Sequence, residues 1–552
     1  MAVGRVSSAQ VVTACVTLAG LLVYEVRLLR RKLHIVKGLA PLDGPKGVPL
    51  LGVPLLGVPP KCMENKDQIY AFLARRWNLF MCAWGVDTME LTSHGWMCIR
   101  YLDILGYQEG LLKQFGGRMK MPWHLFFDGT IYVTDPEDVK YILHTNFENF
   151  IKPPGFIGAF RELFGGSLFA MNHAHCPDNG DKWRLQCKVT AKVVMEQSLD
   201  KYAQQMVALI ASQPDGQCDL QDIARQFTLR SMFDITVGIP MIQAVPSIKE
   251  FDESLDFVNE QSVAWMFTKQ HEYRLKREVV AIRNISGRIV GQWLQESVVE
   301  LAECFDILSL FIKKMHELSA EEASLLDTDT IQKLAHAFLF AGRNATSCCT
   351  TYTFYALCRN PEVHRKLVAE ILSIYATKEK FSDGNSSKQL IYKDIKSLWY
   401  LDAVVQETLR LYLPVPYNAK RAAVDDHLPN DTFVPTGCDL VYSLWYMGCH
   451  SAMWGPDPLV FHPERRLEMD GTKTRPNAYE HPVFQARPHI CIDMNITLLE
   501  AKIFIAIMLQ SFDNIKIQPG AKQERGYILK STLTMDGGLP LQMTPREASK
   551  VA

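Results

Sequence analysis

The feature that most constrains the fold of this chain is a succession of long stretches with helical periodicity after about residue 67. Apolar residues recur there every three to four positions, as on one face of an amphipathic helix. The stretches lie near 193–212, 276–317, 330–358, 362–376, 397–412 and 495–511. Strand-like pieces are short and lie at 129–134, 432–434, 439–443 and in the C-terminal tail. The pattern predicts one large, mainly helical domain with small β-sheets.

The N-terminus carries an apolar run that is followed by a basic cluster. Val11 to Tyr24 is interrupted only by Thr13 and Thr17, and five Lys or Arg residues follow between 27 and 37. Extended to Leu29, the run comes close to spanning a hydrocarbon core of about 30 Å. A cleaved signal peptide is the alternative, but its positive charge would precede the apolar run. We therefore expect residues 1–37 to form a single-pass membrane anchor with a basic flank, and the rest to face the cytoplasm.

A segment rich in Pro and Gly follows the basic flank at residues 38–60. It contains a tandem five-residue unit at 48–52 and 53–57. Proline lacks a backbone donor and glycine lacks a Cβ, so both keep the segment from forming a helix. We expect a stiff hinge there and a single domain over residues 61–552.

Composition and charge exclude several classes of protein. Lys plus Arg number 59 against 60 for Asp plus Glu, and no basic stripe is present, so we expect no binding to nucleic acid. The 14 cysteines are scattered without paired CxxC clusters, which argues against a zinc ribbon. A disulfide framework is not expected in so long a chain. We interpret His173-Ala-His175-Cys176 as a chance loop pattern rather than a metal site.

One cysteine near the C-terminus has a special position. Cys491 stands just before an apolar helical stretch that starts at Met494. The helix dipole and the free N–H groups of a helix N-terminus favour a thiolate there. A thiolate is one of the side chains that ligate haem iron. A buried structural cysteine is the alternative, and this stretch alone does not decide between the two.

Four motifs in one order, together with one further helix, carry a resemblance to a known family. The stretch from Phe484 to Asp493 resembles the cysteine loop of the cytochrome P-450 family, whose pattern is F-x-x-G-x-R-x-C-x-G. Glu407-Thr-Leu-Arg410 and the later Phe461-His-Pro-Glu-Arg465 resemble the E-x-x-R helix and the F-x-P-E-R segment of that family. Phe338 to Thr346 resembles the long helix that crosses the haem in that family. Asp181-Lys-Trp183-Arg184 resembles the family's haem-propionate helix. The resemblance covers nearly everything after about residue 40.

The resemblance implies a haem-thiolate monooxygenase with haem b, O2 and a lipophilic small-molecule substrate. It places the iron ligand at Cys491 and implies NADPH-cytochrome P-450 reductase as the electron donor in the endoplasmic reticulum membrane. Likeness in Leu498 to Lys502 points to branches that hydroxylate long-chain fatty acids. The roles it implies for other residues are cofactor binding for Phe484, His489, Trp183 and Arg184, a structural triad of Glu407, Arg410 and Arg465, and catalysis for Gly342, Asn344 and Thr346.

The long helix departs from the family pattern at the positions that serve proton delivery. The family has an acid and a threonine where this chain has Asn344 and Ala345. An amide has no titratable proton and alanine has no hydroxyl, so the general acid is missing. Thr346 is one residue further on and is rotated by about 100° around the helix. Gly342 is expected to open a groove for dioxygen.

The cysteine loop and the propionate helix also depart from the pattern. Arg487 replaces a glycine of an unusual turn, where we expect strain of about 1–3 kcal/mol. His489 replaces a propionate-binding arginine. Asp493 replaces a glycine, and its charge is unfavourable beside a thiolate unless it caps the helix. Cys187 stands at the position of a family arginine, for which Arg184 or Lys188 could substitute.

Two stretches look foreign to the family. Residues 76–100 interrupt what should be one helix, and 173–177 lengthen a usually short loop. The departures leave two further hypotheses beside the monooxygenase. One is a reductase-independent haem enzyme that rearranges lipid hydroperoxides. The other is a catalytically impaired haem protein.

Overall fold

The structure is a computed structural model of the chain. It describes residues 104–121, 129–173, 179–190, 199–268, 272–295, 306–319, 326–381, 392–467 and 477–546, with 34–35, 42 and two single positions near 301. The predicted membrane run at 11–24, the tandem unit at 48–57 and the foreign-looking stretch at 76–100 lie outside the described residues.

Helices dominate the described part of the chain, which confirms the predicted fold class. In chain order they are α1 Ile104–Gln114, α2 Pro136–Lys140, α3 Pro154–Phe164, α4 Asn179–Thr190, α5 Leu199–Ala211, α6 Leu220–Val237, α7 Met241–Ala244, α8 Ile248–Thr268, α9 Glu272–Trp293, α10 Ile307–Glu317, α11 Thr328–Arg359, α12 Pro361–Phe381, α13 Tyr392–Ser397, α14 Trp399–Leu411, α15 Leu444–Cys449, α16 Ser451–Trp454 and α17 Met494–Ser511.

The strands are short and form small sheets at the periphery. They are β1 Met119–Met121, β2 Thr130–Val133, β3 Phe150–Ile151, β4 Gln217–Asp219, β5 Asn418–Ala422, β6 Asp426–His427, β7 Phe433–Val434, β8 Asp439–Tyr442, β9 Phe512–Ile517, β10 Tyr527–Leu529, β11 Leu533–Met535 and β12 Pro540–Pro545. A five-stranded sheet has the order β1-β2-β8-β5-β3, and a three-stranded sheet has the order β4-β12-β9. Strands β2 and β8 are parallel, and β5 is antiparallel to both β8 and β3.

Helix α11 is the centre of the larger core. Its N-terminus is capped by Asp327, whose carboxylate accepts a hydrogen bond from the N–H of Thr330 at 2.8 Å. Most of its side chains from Leu334 onward are buried, and it contacts α6, α17, α14, α9 and α3. A helix that is buried on nearly all sides belongs in the middle of a large core. It therefore provides a rigid frame along which a site can be built.

A second apolar cluster lies around the five-stranded sheet. Ile35 is fully buried in it and Leu42 packs against it. The imidazole of His34 also lies 2.9 Å from the carboxylate of Asp425. Part of the segment that the sequence predicts as basic flank and hinge thus contacts the globular part.

Among the described residues, one helix is long and apolar enough to cross a membrane. It is α17, and 67% of that stretch is buried inside the protein. A helix that is mostly buried is a core helix. Its presence says nothing about the predicted N-terminal anchor.

Candidate active site

The candidate site is centred on the loop that ends at α17. The backbone N–H of Cys491 donates to the carbonyl oxygen of Phe484 at 2.7 Å, which closes the loop at its base. The backbone N–H groups of Asp493 and Met494 lie near the sulfur of Cys491 and act to lower the pKa of its thiol. Such donors stabilise a thiolate and tune its binding to a metal ion.

Cys491 faces a space inside the protein. The side chain of Cys491 is accessible. Even so, desolvation by the surrounding protein, with a smaller contribution from the charge of Asp493, raises the pKa of its thiol to about 12. Both observations hold together when the sulfur opens into the interior rather than onto the outer surface. A metal ion displaces the proton of a thiol that ligates it. An accessible interior sulfur with two amide donors fits a haem iron.

The neighbours of Cys491 differ from the sequence predictions. Arg487 is exposed and does not have a positive φ, so the strain predicted for it is wrong. The positive φ of the loop, 59°, falls on Gln485, whose side chain accepts a hydrogen bond from the hydroxyl of Tyr442. Asp493 does not cap α17, which was the alternative to an unfavourable charge beside the thiolate, because its side chain makes no capping hydrogen bond. It is buried, its Oδ1 has no partner among the described residues, and burial raises its pKa to about 7.

Helix α11 presents a narrow accessible face in the predicted oxygen region. Ala341 and Ala345 are partly accessible, whereas the neighbouring residues between 334 and 350 are buried. They are four residues apart and therefore share one face. Ala345 is the position at which the family has a threonine hydroxyl. The accessible face of this helix segment thus carries two methyl groups and no proton donor.

The three residues predicted to be catalytic lie off this face. Gly342 packs against α6, where a Cβ would lie 2.4 Å from Cε of Met232, so its role in the structure is close helix packing. Thr346 is fully buried, and its hydroxyl has no partner among the described residues. The Oδ1 atom of Asn344 accepts a hydrogen bond from Arg343 at 2.8 Å.

Arg343 is the centre of a buried ionic network that sequence reasoning missed. Its guanidinium is fully buried, lies 2.8 Å from Asp256 and also contacts Asp252, both on α8. Arg225 on α6 contacts the same two carboxylates. Burial alone would raise the pKa of Asp256, but the charges of Arg343 and Arg225 hold it below its ordinary value. The acidic residues recur every four positions on α8, which is the signal that could have indicated an inward-facing acidic stripe.

The structure brings together the three residues of the predicted triad. The side chains of Glu407 and Arg410 are fully buried and lie 2.7 Å apart, and Arg465 contacts Glu407 at 2.8 Å. Arg410 also donates to the carbonyl oxygen of Gly448 at 2.6 Å. Mutual pairing of this kind is what buried charges require. The triad thereby fixes α14 against the segment that follows α15.

The triad is connected to the cysteine loop through aromatic contacts. The guanidinium of Arg410 lies 5.1 Å from the ring of Trp454, and that of Arg466 lies 4.6 Å from it. Trp454 also meets the ring of His481 edge-on at 5.7 Å. His481 stands three residues before Phe484, so the contact links the ionic cluster to the start of the loop.

Two of the predicted cofactor-binding residues lie in an aromatic cluster. The rings of His489 and Trp183 are 5.0 Å apart, and His173 lies 4.4 Å from His489. The Nε2 atom of His489 and Nδ1 of His173 are 2.9 Å apart. His173 thus contacts both predicted cofactor-binding residues of this cluster. The sequence offered no signal for it beyond its unusual loop.

Arg184 does not join this cluster. Its side chain is exposed, 3.2 Å from Asp181 and 3.9 Å from Glu148, and Lys188 is exposed as well. The cofactor-binding role of Arg184, or of Lys188 in its place, stays a prediction. Lys152 and Lys420, which sequence reasoning missed, lie near both His173 and His489, and Arg184 lies near His173.

Comparison with known proteins agrees with this architecture. The model of the cytochrome P450 family matches residues 113–537. Cytochrome P-450 94A1 of Vicia sativa is 27% identical over 460 residues, which cover 76% of this chain and 84% of the relative. Cytochrome P-450 94C1 of Arabidopsis thaliana is 26% identical, with 76% and 85% covered. Noroxomaritidine synthase of Narcissus aff. pseudonarcissus MK-2014 is 26% identical, with 77% and 84% covered.

These matches cover most of the chain and include every motif of the candidate site. The region that matches the family description contains the accessible Cys491, the buried Glu407–Arg410–Arg465 triad and helix α11. The chain therefore belongs to the cytochrome P-450 family, whose members are haem-dependent monooxygenases and hence oxidoreductases.

Proposed function

We propose that this protein inserts one oxygen atom of O2 into a C–H bond of a lipophilic substrate, with long-chain fatty acids as the substrate class. Haem b is the cofactor, and Cys491 is its iron ligand. The observation that carries the proposal is the accessible interior sulfur of Cys491 with its two backbone donors. When bound, a thiolate-ligated haem supplies the activation of O2.

Residues of this chain hold and orient the cofactor in the proposal. Phe484 closes the cysteine loop, and the triad of Glu407, Arg410 and Arg465 keeps the adjoining segment in place. Trp183 and His489 would contact the cofactor. Ala341 and Ala345, on the accessible face of α11, would line the space for O2 and substrate.

An aromatic cluster beside α11 supports the lipophilic substrate class. Phe164, Phe169 and Phe340 have ring centroids 5.0 to 6.4 Å apart, and Phe156 and Phe160 extend the cluster along α3. Phe156 and Phe169 are partly accessible. Aromatic side chains bury large apolar areas and suit an apolar ligand.

The partner and location follow from the sequence. In the proposal, residues 1–37 anchor the protein in the endoplasmic reticulum membrane with the domain, taken as 61–552, in the cytoplasm. Residues 38–60 are the hinge. NADPH-cytochrome P-450 reductase in the same membrane delivers the electrons.

One observation favours a second candidate function. The accessible face of α11 carries Ala341 and Ala345, Asn344 is held by Arg343, and the hydroxyl of Thr346 is buried. A reaction that rearranges a lipid hydroperoxide needs no proton delivery from this helix. In this alternative the haem and Cys491 keep their places and the reductase is dispensable.

The first experiment is the carbon-monoxide difference spectrum of the reduced protein. Wild type and a Cys218→Ser control should show the spectrum of a thiolate-ligated haem, and Cys491→Ser should lack it. Loss of the signal in the control, or its survival in Cys491→Ser, contradicts the ligand assignment. NADPH consumption with reductase and a long-chain fatty acid then supports the monooxygenase. Turnover of a lipid hydroperoxide without reductase supports the second candidate.

A further inference from the structure

One face of the five-stranded sheet opens on a space inside the protein. Tyr132 of β2 pairs with Val441 of β8, which pairs with Ala419 of β5, so these side chains share that face. Tyr417 directly precedes β5 and is in step with Ala419. All four side chains are partly accessible, whereas the apolar residues on the opposite face of β2 and β8 are buried. Burial nevertheless raises the pKa of both tyrosine hydroxyls, so the accessible face looks into the interior rather than into bulk water.

Helix α1 places an amide against the first of these hydroxyls. Nε2 of Gln108 donates to the hydroxyl oxygen of Tyr132 at 3.2 Å, and Oε1 of Gln108 is buried without a partner among the described residues. The hydroxyl of Tyr417 makes no hydrogen bond within the part of the chain that the structure describes. Turning the amide by 180° exchanges the donor and the acceptor of the Gln108–Tyr132 pair and leaves the same number of each. The space therefore offers hydrogen-bond donors and an unused acceptor to a ligand.

No charge of the described residues acts on the two hydroxyls. Apart from burial, only Tyr417 changes the pKa of Tyr132, which also shows that the two rings are near each other. Burial alone changes the pKa of Tyr417. A neighbouring ammonium or guanidinium group would lower these pKa values, and a carboxylate would raise them further. The space is thus polar but uncharged.

The ionisable groups on the surrounding elements are occupied or lie on the other face. On α1, Glu109 and Lys113 pair with each other at 2.6 Å. The hydroxyl of Tyr527 on β10 accepts a hydrogen bond from a backbone N–H of α1 at 3.1 Å. Lys120 of β1 is paired with a residue of the buried face, and Lys420 alternates with Ala419 in β5. None of these groups offers a counter-ion to an anion in the space.

We propose that this space binds the head group of the lipophilic substrate in an uncharged form that both donates and accepts a hydrogen bond. A hydroxyl meets this requirement directly, and a fatty acid meets it as the un-ionised carboxyl group. A carboxylate only accepts, so it would leave Oε1 of Gln108 without a donor and bring an unpaired charge into a desolvated space. The inference rests on the proposed function for the lipophilic chain and specifies its polar end.

The test is isothermal titration calorimetry of the purified haem-containing protein with dodecanol, dodecanoic acid and dodecane, each below its solubility limit. The affinity for dodecanol should stay constant between about pH 6 and pH 8. The affinity for dodecanoic acid should fall about tenfold per pH unit over this range, because the ionised acid must take up a proton in order to bind. An affinity for the acid that does not change with pH overturns the proposal, since the carboxylate then binds as such.

Substitution of the tyrosines locates the head group. Tyr132→Phe and Tyr417→Phe should each weaken the binding of dodecanol about 3- to 10-fold, the range for one neutral hydrogen bond, and leave that of dodecane unchanged. Tyr375→Phe removes a buried tyrosine hydroxyl from α12 and is the matched control, which should bind dodecanol as wild type does. Equal weakening of dodecanol and dodecane, or an effect of the control as large as that of Tyr417→Phe, overturns the assignment. If Tyr132→Phe does not fold, Tyr417→Phe carries the test.

The outcomes separate this inference from the proposed function. A wild type without the carbon-monoxide spectrum of a thiolate-ligated haem fails the proposed function. A wild type that gives this spectrum and binds dodecanol no more tightly than dodecane overturns the head-group assignment alone.

Discussion

Replacement of Arg343 by methionine tests whether the buried ionic network holds α8 to the central helix. Arg343 is fully buried, and its side chain contacts Asp252, Asp256 and Asn344. Methionine fills much of the same volume but carries no charge and no donor. The two carboxylates of α8 then retain Arg225 as their remaining basic partner, which is 3.4 Å from Asp252 and also contacts Asp256.

The expected loss follows from this remaining partner. Breaking a buried ion pair by removing one side costs about 3–5 kcal/mol, because a charge stays buried without compensation. Arg225 still compensates part of that charge, so we expect the lower end, about 3 kcal/mol in the free energy of unfolding. This corresponds to a change of roughly 150-fold in the unfolding equilibrium constant.

Urea denaturation of the haem-containing protein at pH 7, followed by circular dichroism, measures the difference. Arg283→Met is the matched control, because Arg283 forms a partly exposed pair with Asp329 at 2.6 Å and should cost less than about 1 kcal/mol. Asp256→Asn in the Arg343→Met background should recover part of the loss. The paired carboxylate has a depressed pKa, so its stabilisation is lost as the pH falls through that pKa, and the difference should shrink below about pH 4. A loss at pH 7 no larger than that of the control would refute the reasoning.

Three further predictions follow from single contacts. Burial raises the pKa of Glu500 from 4.5 to about 8, so native Glu500 must hold a proton at neutral pH. The free energy of unfolding of Glu500→Gln should therefore rise relative to that of wild type by about 5 kcal/mol between pH 4.5 and 8. A difference in urea denaturation that stays constant over this pH range would contradict the prediction. Gly342→Ala should lower the stability by about 1–3 kcal/mol through contact with Met232, and Met232→Ala should relieve most of that loss; thermal denaturation of the single and double variants checks it. Asn344→Asp combined with Ala345→Thr should raise the product formed per NADPH consumed at least about tenfold, and unchanged coupling would count against the missing proton donor.

Helix positions could be read from the sequence because they depend on local periodicity. The predicted stretch at 330–358 corresponds to Thr328–Arg359, and that at 495–511 corresponds to Met494–Ser511. One prediction joined two helices, since 276–317 covers most of Glu272–Trp293 and all of Ile307–Glu317. A regular apolar spacing does not reveal where the chain turns between two helices with similar faces.

The residues of the candidate site fall into two groups, those that local spacing predicts and those that depend on tertiary packing. Glu407 and Arg410 are three residues apart on one helix, and Cys491 directly precedes another, so short-range spacing and the family motifs were enough to single them out. The packing of Gly342 against Met232 was not predicted, because a motif position does not say which neighbouring helix will pack on it. The same holds for Arg487, whose predicted strain lies at Gln485 instead.

The sequence by itself determined the fold class, the family and the order of the motifs along the chain. Only the tertiary structure decided which charges meet. Arg343 meets an acidic stripe on a different helix, and Arg225 of a third helix contacts the same two carboxylates. The physical reason is that the energy of a buried charge depends on what surrounds it in space, and no local pattern encodes that environment.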